Sequence, residues 1–387
     1  MAQRSYFDWN ATAPLREEAR TALHAALALP GNPSSVHAEG RAARRLIEQA
    51  REQVAALVGA RAGDVVFTSS GTEANMLALT PAIEVSGDRR PRSRLLVSAV
   101  EHASVRSGGR FPRDTIEELP VDSAGRLELA ALAAAAARWP AALVSLMLAN
   151  NETGVLQPVG EAAAIVHAAG GLLHVDAVQG AGRVACDIGA LGADLLTLSA
   201  HKIGGPKGVG ALIRSGDHIH LPEPLIRGGG QERGLRAGTE NVAGIAAFGA
   251  AAAAAQERRE AEGQHMLALR HRVEAAIREL SPAAVIFGSE AERLPNTTLF
   301  ALPGMKAETA VIAFDLEGIA VSSGAACSSG KVQASHVLAA MGVSPALRGA
   351  VRVSLGRTTT GEDIERFQNA WRKLAITLSK GQRGIAA

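Results

Sequence analysis

Six short apolar runs punctuate the first 214 residues: "VVFTS" (65–69), "RLLVSAV" (94–100), "LVSLMLA" (143–149), "LLHVD" (172–176), "DLLTLS" (194–199) and "GVGALIR" (208–214). Each is rich in leucine or β-branched residues and reads as a strand. Patterns of helical period lie between several of them, as at 160–169, where Ala, Ile and Val recur. This alternation confines the chain to an α/β fold whose mostly parallel sheet is buried under helices on both faces. Ligands of such sheets bind beyond the carboxyl ends of the strands. The polar residues that close the runs are therefore where chemistry is to be sought.

The rest of the chain is consistent with one large and one smaller unit, for which 387 residues suffice. Residues 36–58 read as an amphipathic helix with Leu46, Ala50, Val54, Leu57 and Val58 on one side, introduced by the turn-and-cap sequence "GNPSS". A helix-rich stretch from about 241 to 280 leads to weaker strands near 284–287 and 296–302 and a further one in "AVRVSLG" (350–356). A last helix begins near 361. Thr360 and Asp363 have capping-box spacing there, and Ile364, Phe367, Trp371 and Leu374 form an apolar stripe. The helix after Thr72 contains Pro81 and is expected to kink at it.

Composition removes several functional classes. The 40 basic and 38 acidic residues nearly balance, and clusters such as "RAARR" (41–45) are followed by opposite charges within a turn or two. They read as solvated helix faces, with no direct nucleic-acid contact expected. The "RGGGQERGLRAGTEN" stretch also lacks the interleaved aromatics that stack on bases. No run of 18 apolar residues free of glycine or charge is present, so no membrane span is expected. The start "MAQRSYFDWN" has no apolar secretory core. Two cysteines, Cys186 and Cys327, make no disulfide framework, and reduced thiols in a cytoplasmic enzyme are the natural reading.

Several run ends carry chemistry. "FTSSGTEAN" turns through Gly71 into a helix near Thr72, whose free amides and hydroxyl suit a phosphate. Alone, this is also the pattern of an ordinary capped helix. Asp176 and Gln179 follow one strand, and a carboxylate there needs a cationic or hydrogen-bonding partner. Ser199, His201 and Lys202 follow the next, ahead of a glycine-rich turn; Lys202 is an amine placed to form a Schiff base. Asn150, Asn151 and Glu152 close another run, and His102 lies just past a fifth. A phosphate-binding helix start, a strand-end carboxylate and a strand-end amine are together what pyridoxal 5'-phosphate requires. Cys327, in "SSGAACSSGK" (322–331), has no bulky neighbours to bury it. Its setting suits a reactive thiol whose backbone is expected to swing, whereas Cys186 in "RVACDIG" reads as a packed structural residue.

The motifs "FDWNATAPL", "GNPSSVH", "FTSSGTE", "VEHASV", "ANNETG", "HVDAVQ", "SAHKIGGPKGVG", "GGGQERGLRAGTEN", "LPNT", "VSSGAACSSG", "SHVLAAMG" and "VRVSLGRTTT" occur in this order along nearly the whole chain. In this the sequence resembles the cysteine desulfurases of the NifS/IscS branch, within the class V aminotransferase family of fold-type I pyridoxal-phosphate enzymes. The resemblance implies a large cofactor-binding domain at 13–258 with a mostly parallel seven-stranded sheet. It implies a smaller α+β domain from 1–12 and 259–387, carrying a cysteine loop at about 321–335. It implies that Lys202 bonds the cofactor aldehyde, that Asp176 pairs with the pyridine nitrogen, and that Gln179 approaches the phenolic oxygen. His102 would stack on the ring and shuttle protons; Gly71, Thr72, Ser199 and His201 would hold the phosphate. Thr239 would reach the neighbouring subunit's cofactor in a homodimer. Asn32, Asn151 and Arg352 would orient the carboxylate of L-cysteine, for which a guanidinium offers a bidentate fork. Cys327 would take the sulfur as a persulfide, yielding L-alanine and serving iron–sulfur cluster or other sulfur-transfer biosynthesis through an acceptor or scaffold protein. No metal is implied.

The chain departs from the branch's commoner "SSGSACTSGSLEPSHVL": Ala325 and Ser328 replace serine and threonine, and "KVQA" (331–334) stands for "SLEP". Its ending, "SKGQRGIAA", is shorter than the tail common in the branch. Selenocysteine lyase, an aminotransferase of the same fold and a non-catalytic sulfur-carrier scaffold are the rival readings.

Overall fold

The computed structural model describes residues 4–88, 90–324 and 334–385. Cys327 lies outside the described residues, as does most of the segment around it. The chain begins with β1 (Ser5–Tyr6), α1 (Glu17–Leu27) and α2 (Ala38–Leu57). Strand–helix units follow: β2 (Val65–Thr68) with α3 (Gly71–Ala78), then β3 (Glu84–Val85) and β4 (Leu95–Ser98) with α4 (Ala103–Arg106). Next come β5 (Ile116–Leu119) with α5 (Leu129–Arg138), and β6 (Leu143–Met147) with α6 (Val159–Ala168). Strands β7 (Leu172–Asp176), β8 (Leu195–Ser199), β9 (Gly210–Arg214) and β10 (Ile219–His220) precede the long α7 (Val242–Leu280). The chain closes through β11 (Val285–Ile286), β12 (Thr297–Ala301), α8 (Ala307–Leu316), β13 (Ile319–Ala320), β14 (Ser322–Ser323), α9 (His336–Ala340), β15 (Val351–Ser354) and α10 (Gly361–Ile385).

The six apolar runs supply six of the seven strands of the larger sheet, in the order β2-β9-β8-β7-β6-β4-β5. β9 is antiparallel to both neighbours, and the remaining pairings are parallel. Successive strand residues face opposite sides. Leu96, Leu196 and Ile213 thus join a core with α2 and α7, while Leu95, Leu195 and Leu212 join another with Ala74 and Leu77 of α3. Both faces are dry, which is why these strands read as unbroken apolar runs.

The second sheet, β11-β12-β15-β14, is wholly antiparallel. Its core draws Leu269, Val273 and Ile277 from the far half of α7, whose near half packs Ile245, Phe248 and Ala251 against the first sheet. One helix therefore serves both sheets. β1 pairs with β13 in a separate two-stranded sheet, and Ile319 of that pair and Phe7 beside it join the core of the second sheet.

Several details differ from expectation for identifiable reasons. α3 ends at Ala78, so Pro81 lies in the turn beyond it and kinks nothing. A proline lacks the amide a helix needs and pushes its predecessor out of the helical region. α2 starts at Ala38, where His37 rather than a serine of "GNPSS" supplies the cap by accepting the Gly40 amide. Ile47 rather than Leu46 is fully buried on its inner face.

The α10 start has reciprocal bonds: the Asp363 amide donates to Thr360 Oγ1 at 3.2 Å, and the Thr360 amide donates to Asp363 Oδ2 at 2.9 Å. Ile364, Phe367 and Trp371 are wholly buried, and Phe367 stacks on Phe314 with its edge against Phe7. Phe367→Ala is expected to cost about 3–5 kcal/mol and Thr360→Ala about 1 kcal/mol. Denaturant midpoints of the two variants provide the check.

Candidate active site

The strands that run parallel in the larger sheet end on one side, and their last residues converge on a cavity of about 260 Å³. It is lined by residues from five strand ends and from the second sheet, among them Gly71, Thr72, His102, Asn151, Asp176, Gln179, Ser199, His201, Lys202 and Arg352. Residues separated by up to 342 positions in the chain, from Asn10 to Arg352, thus share one wall.

Asp176 ends β7 almost fully buried. Its Oδ2 accepts from Asn75 Nδ2 at 2.9 Å and its Oδ1 from the Val178 amide at 3.0 Å. Its carboxylate lines the cavity together with His102 and Lys202. Asn75 Nδ2 also donates to Ser104 Oγ at 2.9 Å, which stands 2.8 Å from His102 Nδ1. That nitrogen accepts the Ser104 amide as well, so the ring proton is assigned to Nε2. A chain of hydrogen bonds thereby fixes His102 and Asp176 relative to one another.

Lys202 follows β8 on a short 3₁₀ turn. Its Nζ donates to the backbone carbonyls of Asn10 and Ala11. Asn10 is wholly buried and held on every side. Its Nδ2 donates to Thr297 Oγ1, its Oδ1 accepts from Asn296, and its amide donates to Ser354 Oγ. The same Asn10 carbonyl accepts from Gln179 Nε2 at 3.0 Å, while Gln179 Oε1 accepts from Arg183. His201 is pushed down to about 4 by burial and by the charges of Lys202, Lys207 and Arg183, so it is a neutral donor or acceptor at pH 7.

At the N-terminus of α3 the Glu73 amide bonds to Ser70 Oγ and the Ala74 amide to the Ser70 carbonyl. The Gly71 and Thr72 amides have no acceptor among the described residues and open on the cavity. A Cβ at Gly71 would lie 3.1 Å from Val178 Cγ2 and 3.2 Å from Ser199 Cβ, so glycine keeps this corner open. Arg352 is buried on β15; it donates to the Asn151 carbonyl at 2.9 Å and to Asp8 Oδ1 at 2.7 Å.

Two expected site residues lie elsewhere. Asn32 is exposed in a turn, where its Oδ1 accepts the Ser34 amide, and Thr239 is exposed beside a separate pocket with Phe67, Glu240 and Asn241. Conversely, Asn10, Ser70, Asn75 and Ser104 line the cavity without having been singled out. Asn75 had one available sign: an amide in a helix interior, where asparagine is unfavourable, four residues after the glycine that opens the helix.

Residues 5–367 match the aminotransferase class-V family. A cysteine desulfurase from Cereibacter sphaeroides is 44% identical over 375 residues, covering 94% of this chain and 94% of that protein. Cysteine desulfurase NifS of Azotobacter vinelandii is 40% identical over 373 residues, covering 93% and 90%. A NifS-like protein from Rickettsia africae has the same fold, with a TM-score of 0.85 at 35% identity and coverage of 96% and 99%. The chain belongs to the class-V aminotransferase family. Pyridoxal 5'-phosphate is the cofactor of that family, and the cavity fits it. The unpartnered amides at α3 suit a phosphate, the buried Asp176 carboxylate suits a ring N–H, and Lys202 is the amine on the same wall.

One buried histidine near the site titrates away from its usual range. His174, on β7, bridges Ser145 Oγ and Thr197 Oγ1 within the sheet. Burial lowers its pKa to about 4, against a smaller opposing effect of Asp176. The unfolded chain thus takes up a proton that the folded chain refuses between about pH 6.5 and 4. Stability conferred by neutral His174 is full above about pH 6.5 and is lost as pH falls through that window. Urea unfolding of the apoprotein at pH 7 and pH 4 should show the parent losing about 3 kcal/mol more than His174→Gln. Equal losses would refute the assignment.

Proposed function

We infer that this chain is a pyridoxal-phosphate-dependent cysteine desulfurase, which converts L-cysteine to L-alanine and passes the sulfur to Cys327 as a persulfide. The observation that carries this reading is the shared wall of the cavity: Asp176, Lys202 and Arg352 face one space large enough for a cofactor and a small amino acid. The relatives that bear the same activity in their names are alike over nearly the whole chain.

The cofactor, when bound, supplies an electron sink for the substrate's α-carbon. The protein supplies the rest. The α3 amides, Ser199 and His201 hold the phosphate end, and Asp176 keeps a proton on the ring nitrogen. Arg352 and Asn151 receive the substrate carboxylate. Lys202 Nζ, poised on two carbonyls, carries the proton to and from the substrate's α-carbon. His102, with its proton on Nε2, exchanges protons on the other side. The Cys327 thiolate attacks the substrate Sγ and forms an S–S bond as the Cβ–Sγ bond breaks. The electron pair stays with Cβ, which takes a proton and becomes the methyl group of alanine.

The enzyme acts as a homodimer in the cytoplasm in this reading. Exposed Ile226 and Val36, with the glycine- and arginine-rich residues 227–239, form the contact and bring Thr239 to the partner's cofactor. No described helix is long and apolar enough to cross a membrane. The persulfide is handed to an iron–sulfur scaffold or another acceptor protein.

Purified protein given L-cysteine and a thiol reductant is expected to release equal amounts of alanine and sulfide. Cys327→Ser should keep the colour of the bound cofactor and lose sulfide release by about 100-fold or more. Lys202→Ala should abolish turnover, and Asp176→Asn should weaken both cofactor retention and rate. A Cys327→Ser enzyme as fast as the parent would end the persulfide reading.

A further inference from the structure

Glu152 is a buried carboxyl to which none of the roles above assigns a task. It sits in the turn after β6, and that turn is rigid. Asn150 Oδ1 accepts the amides of Glu152 and Thr153 and the Thr153 hydroxyl, while Asn150 Nδ2 donates to the Val100 carbonyl. The backbone therefore fixes where the Glu152 side chain starts. Burial raises its pKa, opposed by the Ser335 hydrogen bond and by the charge of Arg352.

The far end of that side chain meets two separate pieces of the second sheet's surroundings. Ser335 Oγ donates to Glu152 Oε2 at 2.6 Å, and the same hydroxyl oxygen accepts the Leu338 amide at 3.0 Å, capping α9. On its other side Oε2 abuts Gly324: a Cβ there would stand 2.8 Å from it, closer than real Cβ contacts come. The Gly324 amide in turn donates to the Ala350 carbonyl, extending the β14–β15 pairing. α9 is tied a second time, because His336 Nε2 lies 3.0 Å from the carbonyl of Glu101, the residue before His102.

Gly324 and Ser335 lie on either side of residues 325–333, which include Cys327. We propose that Glu152 is a positioning residue for sulfur transfer. One carboxylate oxygen sets the separation of the two points from which the Cys327 segment sets out and to which it returns. A fixed separation of these two anchors sets the distance that the residues between them must span. The placement of Gly324 follows: only a residue without a Cβ lets the carboxylate reach both anchors. This role rests on the reading of Cys327 as the sulfur acceptor.

The holoenzyme tests it with three measurements on each variant: KM for L-cysteine, the change in cofactor absorbance on adding L-cysteine, and the single-turnover rate of persulfide formation on Cys327, read by alkylation and mass spectrometry. Glu152→Ala and Ser335→Ala are expected to keep the parent's KM and absorbance change while persulfide formation slows about tenfold or more. Glu152→Gln, which retains an oxygen for the Ser335 hydroxyl, should recover to within about threefold of the parent. Gly324→Ala should slow the same step in the parent and add nothing in the Glu152→Ala background. Ser335→Ala removes only a hydroxyl, and so carries the test if Glu152→Ala does not fold. Persulfide formation at the parental rate in Ser335→Ala and in any folded Glu152→Ala would overturn the proposal. So would a loss confined to KM and absorbance. A parent enzyme that forms no persulfide on Cys327 would instead refute the desulfurase reading itself.

Discussion

A buried carboxylate organises this site. Asp176 is buried at the end of a strand, and two neutral donors, Asn75 and the Val178 amide, stabilise its charge without cancelling it. Burying such a charge is costly unless something positive completes it. A ring N–H in the cavity would do so. Glu101, wholly buried nearby, has its pKa raised well above the usual carboxyl range by burial first and by Asp176 second. A second negative charge beside the first is thereby suppressed. His201 is neutral, and the His102 ring is oriented through Ser104 and Asn75 from the same carboxylate.

The fold was readable where periodicity follows burial. Strands covered on both faces leave unbroken apolar runs, and β4, β6, β7, β8 and β9 lie within the stretches that announced them. The α10 stripe and its Thr360–Asp363 cap were legible because both interactions are local. α3 was not, since a proline ends a short helix as readily as it bends a long one. Much of the site's chemistry stood at strand ends, where a polar residue after an apolar run is conspicuous.

What the sequence concealed were contacts between residues far apart in the chain. Asn10 reaches Thr297 and Asn296, and Glu152 reaches Ser335. None of these residues stands out by type or spacing, because asparagine in a loop and glutamate after a strand are ordinary until folded. Asn32 and Thr239 show the converse. Each belongs to a recognisable motif, yet the fold of a single chain leaves both at the surface, away from Lys202.

Asn10 ties the two sheets together at the reactive amine. Its side chain is fastened to the antiparallel sheet through Thr297 and Asn296, while its carbonyl is one of the two oxygens under Lys202 Nζ. Any tilt of one sheet against the other must drag that oxygen with it. The amine's position is therefore coupled to that of the antiparallel sheet, through a residue with no reactive group of its own.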